Sequence, residues 1–357
     1  MASAIRVVLG VFLGLLLASS QADAAAVEVR VGVVAYQDLA RGTADFEELF
    51  RELAESLDRP VQFRLTMGTY GDIIYWLDKG MVDVALLTPG AFAAAVREER
   101  SGSPRCEYLA SRLVPHAADN GGPANYRDSY HAVCVTAEGS SLRTIDDVRR
   151  SWEGGRARFV FVDPLSASGH IAPSFALRKI GIDPAPEEVE YSYSHTNSLR
   201  LLAAADNAIE RVAFVWDGAW RGSNDLPSFR PIAIPELEAL HIPADVVVAR
   251  AGFEHSERVI ELLTSHVDSS GEHDFVRFDD WRQRYGELLH WTQQTHIAVD
   301  SDEVQALSLD GIAQMLKYYA RTRPGDQPLR LALVLSGGGA KCSYQIGAVT
   351  ALEEALA

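Results

Sequence analysis

The sequence predicts an α/β protein of two lobes with a ligand cleft between them. Two observations carry that prediction. From Val27 onward, short β-type runs alternate with helix-length amphipathic stretches, the signature of βαβ units and a mostly parallel sheet. The alternation then breaks at a polar stretch rich in Gly, Pro and Asn over residues 116–129, resumes as a second series, and finishes in a helical return. Two α/β units joined in this way are a common arrangement for proteins that close around a ligand by a hinge.

The elements follow in order. Residues 27–36 (VEVRVGVVAY) predict a strand and 46–57 a helix with apolar residues at helical spacing. A strand over 61–66 leads to a short helix over 69–80, ended by Gly80. A strand over 82–88 leads to a helix over 89–99, with Pro89 at its first position. CEYLASRLV and YHAVCVT are strand-like and flank the 116–129 loop. The second series has the helix TIDDVRRSW, a strand over 157–163, helices over 168–181 and 194–205, and a strand over 211–217. Strands over 229–234 and 245–250 lead back toward the first unit, followed by helices over 255–267, 274–291 and 302–320. The lobes are expected at about 25–135 plus 235–320, and at about 136–234, with a linker at 321–328 and a new strand from Leu329.

Residues 1–24 read as a secretory signal peptide. Arg6 supplies the basic start, Val7 to Ala18 is an unbroken apolar run too short to span a bilayer, and Ala22-Asp23-Ala24 is an A-x-A cleavage site. Export to the periplasm or beyond is therefore expected, and disulfides become possible. Cys106 and Cys134 both lie in strand-like segments; a bridge between them requires those strands to be neighbours, and two buried thiols are the alternative.

Composition narrows the function. The 357 residues are 47% hydrophobic, ample for a packed core, and carry a net charge of −16. That balance argues against a broad nucleic-acid surface, which needs a basic footprint. A small anion can still be held locally. Three cysteines are too few for a disulfide scaffold, and neither zinc-site spacing nor a second ligand beside His273 and Asp274 indicates a metal. No cofactor is expected.

Four helix starts carry hydroxyl or small polar residues: Thr69-Tyr70, Thr88-Pro89-Gly90, Ser166-Ala167-Ser168-Gly169 and Ser194-His195. A helix N-terminus offers unpaired backbone N–H groups and the positive end of the macrodipole, and oxyanions bind there readily. Each cap alone is ordinary. Together with His195 they point to one anion site.

The runs TYGDIIYWLDKGMVDVALLTPGAF, FVDPLSASGHIAPSFALRKIGID, YSHTNSLRLLAAA and VAFVWDG carry a wider pattern. Over roughly residues 27–320 the chain resembles the periplasmic phosphate, phosphite and phosphonate substrate-binding proteins of ABC transporters. The resemblance implies a periplasmic-binding-protein-like fold of type II, a small anionic ligand and a transporter permease as partner. By position, Ser166, Ala167, Ser168 and Gly169 would hold oxyanion oxygens, His195 would donate a further hydrogen bond, and Tyr70 would close from the other lobe. Asp217 would accept from a protonated ligand oxygen or an amino group, and Thr88 would contribute its hydroxyl. Ala167 stands where the family often has a third hydroxyl, and Phe92 where phosphonate binders usually have tyrosine.

Residues 329–357 hold a strand, a glycine-rich turn and an amphipathic helix, including SGGGAKCSYQIGAV. They resemble the opening of patatin-like phospholipases. The resemblance implies that Gly337, Gly338, Gly339 and Lys341 form an oxyanion hole, with Cys342 in place of the usual glycine. No G-x-S-x-G follows Gly339, so the chain as given carries no acyl-transfer nucleophile. The expectation is a solute-binding or sensor domain fused to the start of a patatin-like domain. The alternative is an N-terminal fragment of a lipid acyl hydrolase, with its Ser-Asp dyad further on, a lipid substrate, and an outer-membrane association of the parent protein.

Overall fold

A computed structural model describes residues 27–34, 51, 61–97, 106–116, 125–203, 209–223, 226–267 and 273–294. The expected signal peptide, the helices expected over 46–57 and 302–320, the expected linker and the expected patatin-like segment with Gly337, Gly338, Gly339 and Lys341 lie outside the described residues, apart from position 51.

Two sheets organise the chain. The first has the order β15-β4-β14-β3-β1-β2, built from β1 (Val27–Val34), β2 (Val61–Gly68), β3 (Val84–Leu87), β4 (Cys106–Arg112), β14 (Asp245–Arg250) and β15 (Phe275–Val276). The second has the order β10-β9-β11-β8-β12, from β8 (Ala132–Ala137), β9 (Ala157–Phe161), β10 (Val189–Tyr191), β11 (Glu210–Trp216) and β12 (Phe229–Ile232). Short pairs complete the set: β5 (Val114–His116) with β6 (Asn125–Arg127), and β7 (Ser129–Tyr130) with β13 (Ile242–Pro243). The helices are α1 (Tyr70–Asp78), α2 (Pro89–Arg97), α3 (Ile145–Glu153), α4 (Ala172–Lys179), α5 (His195–Ala203), α6 (Asp217–Arg221), α7 (Pro235–Glu238), α8 (Ser256–Ser265), α9 (Trp281–Arg284) and α10 (Gly286–Gln294).

The sheets are mixed rather than mostly parallel. β1 pairs in parallel with β2 and β3, and β9 with β10 and β11, as βα alternation requires. β14 runs antiparallel to β3 and β4, and β8 antiparallel to β11 and β12. The exceptions are the strands next to the crossings: the chain passes from the first sheet to the second after β7 and returns through β13, which pairs with β7. The expected helix over 274–291 is three elements, because Phe275 pairs with Arg112 as an edge strand before α9 and α10 begin. Part of the expected 116–129 loop is strand, since Asn125–Arg127 folds back on Val114–His116.

Of the two alternatives for Cys106 and Cys134, the structure has two buried thiols. Cys106 lies on β4 of the first sheet and Cys134 on β8 of the second, and no disulfide joins them. Both are buried, and the apolar surroundings push the Cys134 thiol up, which leaves it inert.

Three neighbouring strands of the first sheet are tied by one carboxylate. Asp83, just before β3, accepts from Arg30 Nε at 2.8 Å, Arg30 Nη2 at 2.8 Å, the Arg30 backbone N–H at 3.1 Å and Arg250 Nε at 3.0 Å. Burial alone would raise its pKa, but these donors outweigh it and hold it down from 3.8 to about 2. A depressed carboxylate stabilises the fold above its unfolded pKa, and that stability is lost as pH falls toward the folded value. Asp83→Asn is therefore expected to lose about 1–2 kcal/mol at neutral pH, allowing for screening at the solvent-facing arginines. Acid titration followed by circular dichroism should show a flatter loss of stability between pH 4 and 2 in the variant.

One apolar cluster runs through both units. It joins Tyr70, Leu87 and Phe92 of the first to Leu165, Ile171 and Phe214 of the second, with Tyr285 and Trp291 from the C-terminal elements. The α9–α10 segment serves both: Tyr285 meets Phe92 of α2 edge-on at 5.2 Å, and Trp291 of α10 stacks on Phe175 of α4 at 5.7 Å.

Candidate functional site

Three helix starts converge where the units meet. The first is α1. Thr69 caps it in a reciprocal box: its Oγ1 accepts from the Asp72 N–H at 3.3 Å, while Asp72 Oδ2 accepts from the Thr69 N–H at 3.0 Å. Tyr70 follows, 2% exposed and packed in the shared core.

The second is α2. Thr88 precedes Pro89, and its carbonyl accepts from the Phe92 N–H at 2.9 Å. The Thr88 residue is 7% exposed, yet its Oγ1 has no hydrogen-bond partner. A buried hydroxyl left unpaired costs about 1–3 kcal/mol, so its retention is informative. Phe92, one turn on, points away from this end. It is fully buried among Tyr108, Trp281 and Tyr285, so the ring serves packing and a hydroxyl there would face an apolar cluster.

The third follows β9. Ser166 caps a widened turn, Ala167–Ile171, in which its carbonyl accepts from both His170 N–H at 3.0 Å and Ile171 N–H at 2.9 Å. Such π-type turns are rare and frequent at functional sites. Ser166 Oγ accepts from the Gly169 N–H at 3.1 Å, so this hydroxyl is a cap whose proton remains available to donate. Gly169 is required by space: a Cβ there would lie 2.4 Å from Val162 Cγ2. Ala167 and Ser168 are almost fully buried. The sequence expectation of a plain helix from 168 missed this turn, since nothing in apolar spacing reports a five-residue hydrogen bond.

The second and third starts touch. A Cβ on Gly90 would lie 2.1 Å from the Leu165 carbonyl oxygen and 3.1 Å from the Ala167 backbone nitrogen. The N-terminus of α2 therefore rests on the backbone that opens the Ser166–Gly169 turn.

His195 begins α5 on the loop beside the same turn. That loop is held by the Ser192 N–H to Phe161 O at 2.9 Å and the Tyr193 N–H to Val162 O at 2.7 Å. Tyr193 adopts φ of 59°, a left-handed conformation that costs a non-glycine residue about 1–2 kcal/mol. Strain of this kind clusters at functional sites. His195 is 3% exposed, and burial lowers its pKa to about 3, so the ring is neutral. Its Nδ1 accepts from the Trp216 backbone N–H at 3.3 Å. The ring proton therefore sits on Nε2, which makes that atom a donor.

Asp217 opens the short helix α6. Its N–H donates to His131 O at 3.0 Å, its Oδ1 lies 3.5 Å from the His131 N–H, and its Oδ2 lies 3.8 Å from Arg221 Nε. It thus ties α6 to the residue entering β8 at long distances that leave acceptor capacity.

One buried acid beside the Ser166 turn escaped the sequence reading. Asp163 lies between β9 and the Ser166 turn, 9% exposed, with its Oδ1 accepting from the Leu165 N–H at 2.8 Å. Burial pushes its pKa up to about 7; the Leu165 hydrogen bond opposes this, and the negative charge of Asp72 across the units adds to it. The aspartate-proline pair ahead of Ser166 was visible, but its burial opposite Asp72 follows only from the packing of two distant segments.

Beside the carboxyl groups of Asp72, Asp163 and Asp217, the site offers neutral hydroxyls, a neutral imidazole and backbone N–H groups on helix ends, donors suited to a small oxyanion without a cationic side chain. Residues 31–278 match the family described as ABC transporter, phosphonate, periplasmic substrate-binding protein. Among solved structures, the chain is similar to PhnD1 from Prochlorococcus marinus in complex with methylphosphonate, with a TM-score of 0.55 and 15% identity over 75% of this chain and 98% of that one. It is similar to a binding protein component of an ABC phosphonate transporter from Pseudomonas aeruginosa, with a TM-score of 0.57 and 16% identity over 83% of this chain and 98% of that one. A Xanthomonas citri protein bound to ATP gives a TM-score of 0.53 and 17% identity over 76% and 99%. At these identities the structural likeness shows the fold. No curated protein matches the chain. The family match spans well over half of the chain, which therefore belongs to the phosphonate periplasmic substrate-binding protein family of ABC transporters.

Proposed function

We propose that this chain is a solute-binding protein of the periplasm whose cleft takes a small phosphorus oxyanion: phosphate, phosphite or a phosphonate. The observation that carries the reading is the buried Thr88 hydroxyl. It lacks a protein partner at a helix start that rests on the Ser166–Gly169 turn. Ser166 and Ser168 would donate to ligand oxygens together with backbone N–H groups of the turn, and His195 would donate through Nε2. Asp217 would accept from a protonated oxygen or an amino group, and Tyr70 would cover the ligand from the first unit. A net charge of −16 makes the long-range field unfavourable to an anion, so capture depends on these short-range donors. The loaded protein would hand its solute to a transporter permease or report it to an attached domain.

Calorimetry with phosphate, phosphite and methylphosphonate tests this. Binding is expected for at least one of them. Ser168→Ala or His195→Ala should weaken it by about 10- to 100-fold, which corresponds to about 1–3 kcal/mol per lost hydrogen bond to a charged group. The absence of heat with every oxyanion would sink the reading.

The SGGGAK run at 336–341 supports a second element of the proposal, fusion of this unit to a patatin-like domain. A G-x-S-x-G codon run in the gene downstream of that motif is the expected finding, and its absence from the complete reading frame would remove the fusion.

A further inference from the structure

Two buried side-chain polar atoms among the described residues have no hydrogen-bond partner: Thr88 Oγ1, at the start of α2, and Trp216 Nε1. The sequence puts Trp216 and Trp220 nearest the cleft of the six tryptophans, but gives them a packing role. Trp216 is the last residue of β11, at the carboxyl end of the strand, where ligands of α/β proteins bind. Strand alternation puts it on the same face as Val212 and Phe214, which belong to the core shared with Ala167 and Ile171 of the widened turn. Its backbone N–H holds the His195 ring.

The indole is fixed in place. A Cβ on Gly218 would lie 2.2 Å from Trp216 Cζ3 and 2.3 Å from Cη2, so the six-membered ring lies flat on that glycine. Tyr130 meets the indole at 6.2 Å with the rings perpendicular. In this position the ring keeps its N–H covered from water. An indole N–H only donates, and burying it unpaired is unfavourable unless a partner arrives.

We propose that Trp216 is a specificity-determining residue of this cleft and that its Nε1–H donates to an oxygen of the bound oxyanion. This rests on the reading of the cleft as an oxyanion site. The indole supplies a side-chain donor that Ala167 and Phe92 cannot. Together with His195 Nε2–H it forms a pair of groups that donate without accepting. Such a pair favours deprotonated oxygens over a ligand that presents a hydroxyl or a hydrogen at the same place.

The test uses the mature chain and methylphosphonate. Trp216→Phe keeps an aromatic ring and removes the N–H; affinity by calorimetry is expected to fall about ten-fold. In parallel, the Trp216 indole N–H resonance of the wild-type protein, assigned by its loss in the variant or by selective labelling, is expected to move downfield on saturation with methylphosphonate. Equal affinity in the variant with an unmoved resonance would overturn the proposal and leave the oxyanion reading intact. A resonance held upfield with and without ligand would show that the Tyr130 ring face is its partner, and would overturn the proposal equally. If the wild-type chain takes up no oxyanion, both readings fall together. If Trp216→Phe does not fold, the wild-type resonance decides alone.

Discussion

Gly90→Ala is expected to lower oxyanion affinity by at least ten-fold and to lower the melting temperature by several degrees. The added methyl would sit 2.1 Å from the Leu165 carbonyl oxygen, 2.7 Å from Ile171 Cδ1 and 3.1 Å from the Ala167 backbone nitrogen. The isoleucine tip can rotate away. The two backbone atoms cannot, so α2 and the 165–167 segment must move apart. Overpacking of this kind costs about 1–3 kcal/mol. The affinity loss has a separate origin: donors from the two units must sit within hydrogen-bond reach of one small ligand, and a shift of about 1 Å removes that geometry. Differential scanning calorimetry and ligand titration read the two effects separately. An unchanged melting temperature with unchanged affinity would mean that α2 and the 165–167 segment do not meet in solution.

Asp163→Asn is expected to stabilise the protein at pH 8 and to have little effect near pH 4. The Asp163 carboxyl is raised from 3.8 to about 7, so the folded protein retains a proton that the unfolded chain releases. Between those values the unfolded state binds fewer protons, and stability falls as pH rises, by about 1.4 kcal/mol per pH unit at most. The favourable contribution is complete below pH 4 and gone by about pH 7. Asparagine is neutral throughout and keeps an acceptor for the Leu165 N–H, so the variant should lose this slope. Urea melts at pH 4, 6 and 8 would test it; a wild-type protein with the same pH dependence as Asp163→Asn would show that Asp163 is ionised in the fold without cost. The opposite sign at Asp83 means that the two carboxylates dominate different limbs, Asp83 below pH 4 and Asp163 above it.

The parts of the candidate site that one segment builds could be nominated from the sequence. Ser166, Ser168 and Gly169 follow a strand directly, and His195 starts a helix, so local pattern was enough to nominate them. The parts that need two distant segments could not. Gly90 matters because of Leu165 and Ala167, and Asp163 because it is buried where two distant segments pack, with Asp72 nearby. No periodicity carries such pairings. The cysteines stayed open between a bridge and two thiols for the same reason: Cys106 and Cys134 sit in similar strand-like runs, and only sheet membership separates them. Phe92 reads as a lost ligand hydroxyl when aligned by pattern, whereas three aromatic neighbours give it a purely apolar duty.

The α9–α10 segment changes what an affinity for this protein would measure. Tyr285 bears on α2 and Trp291 on α4, so any opening of the cleft has to slide or break at least one of those aromatic contacts. The arrangement in which the two units meet is then stabilised in part by these ring contacts. Apparent affinity scales with the fraction of molecules already competent to bind. A substitution at the Phe175–Trp291 stack, which offers a ligand no donor, is expected to move the dissociation constant by shifting the resting population, and by the same factor for every solute bound.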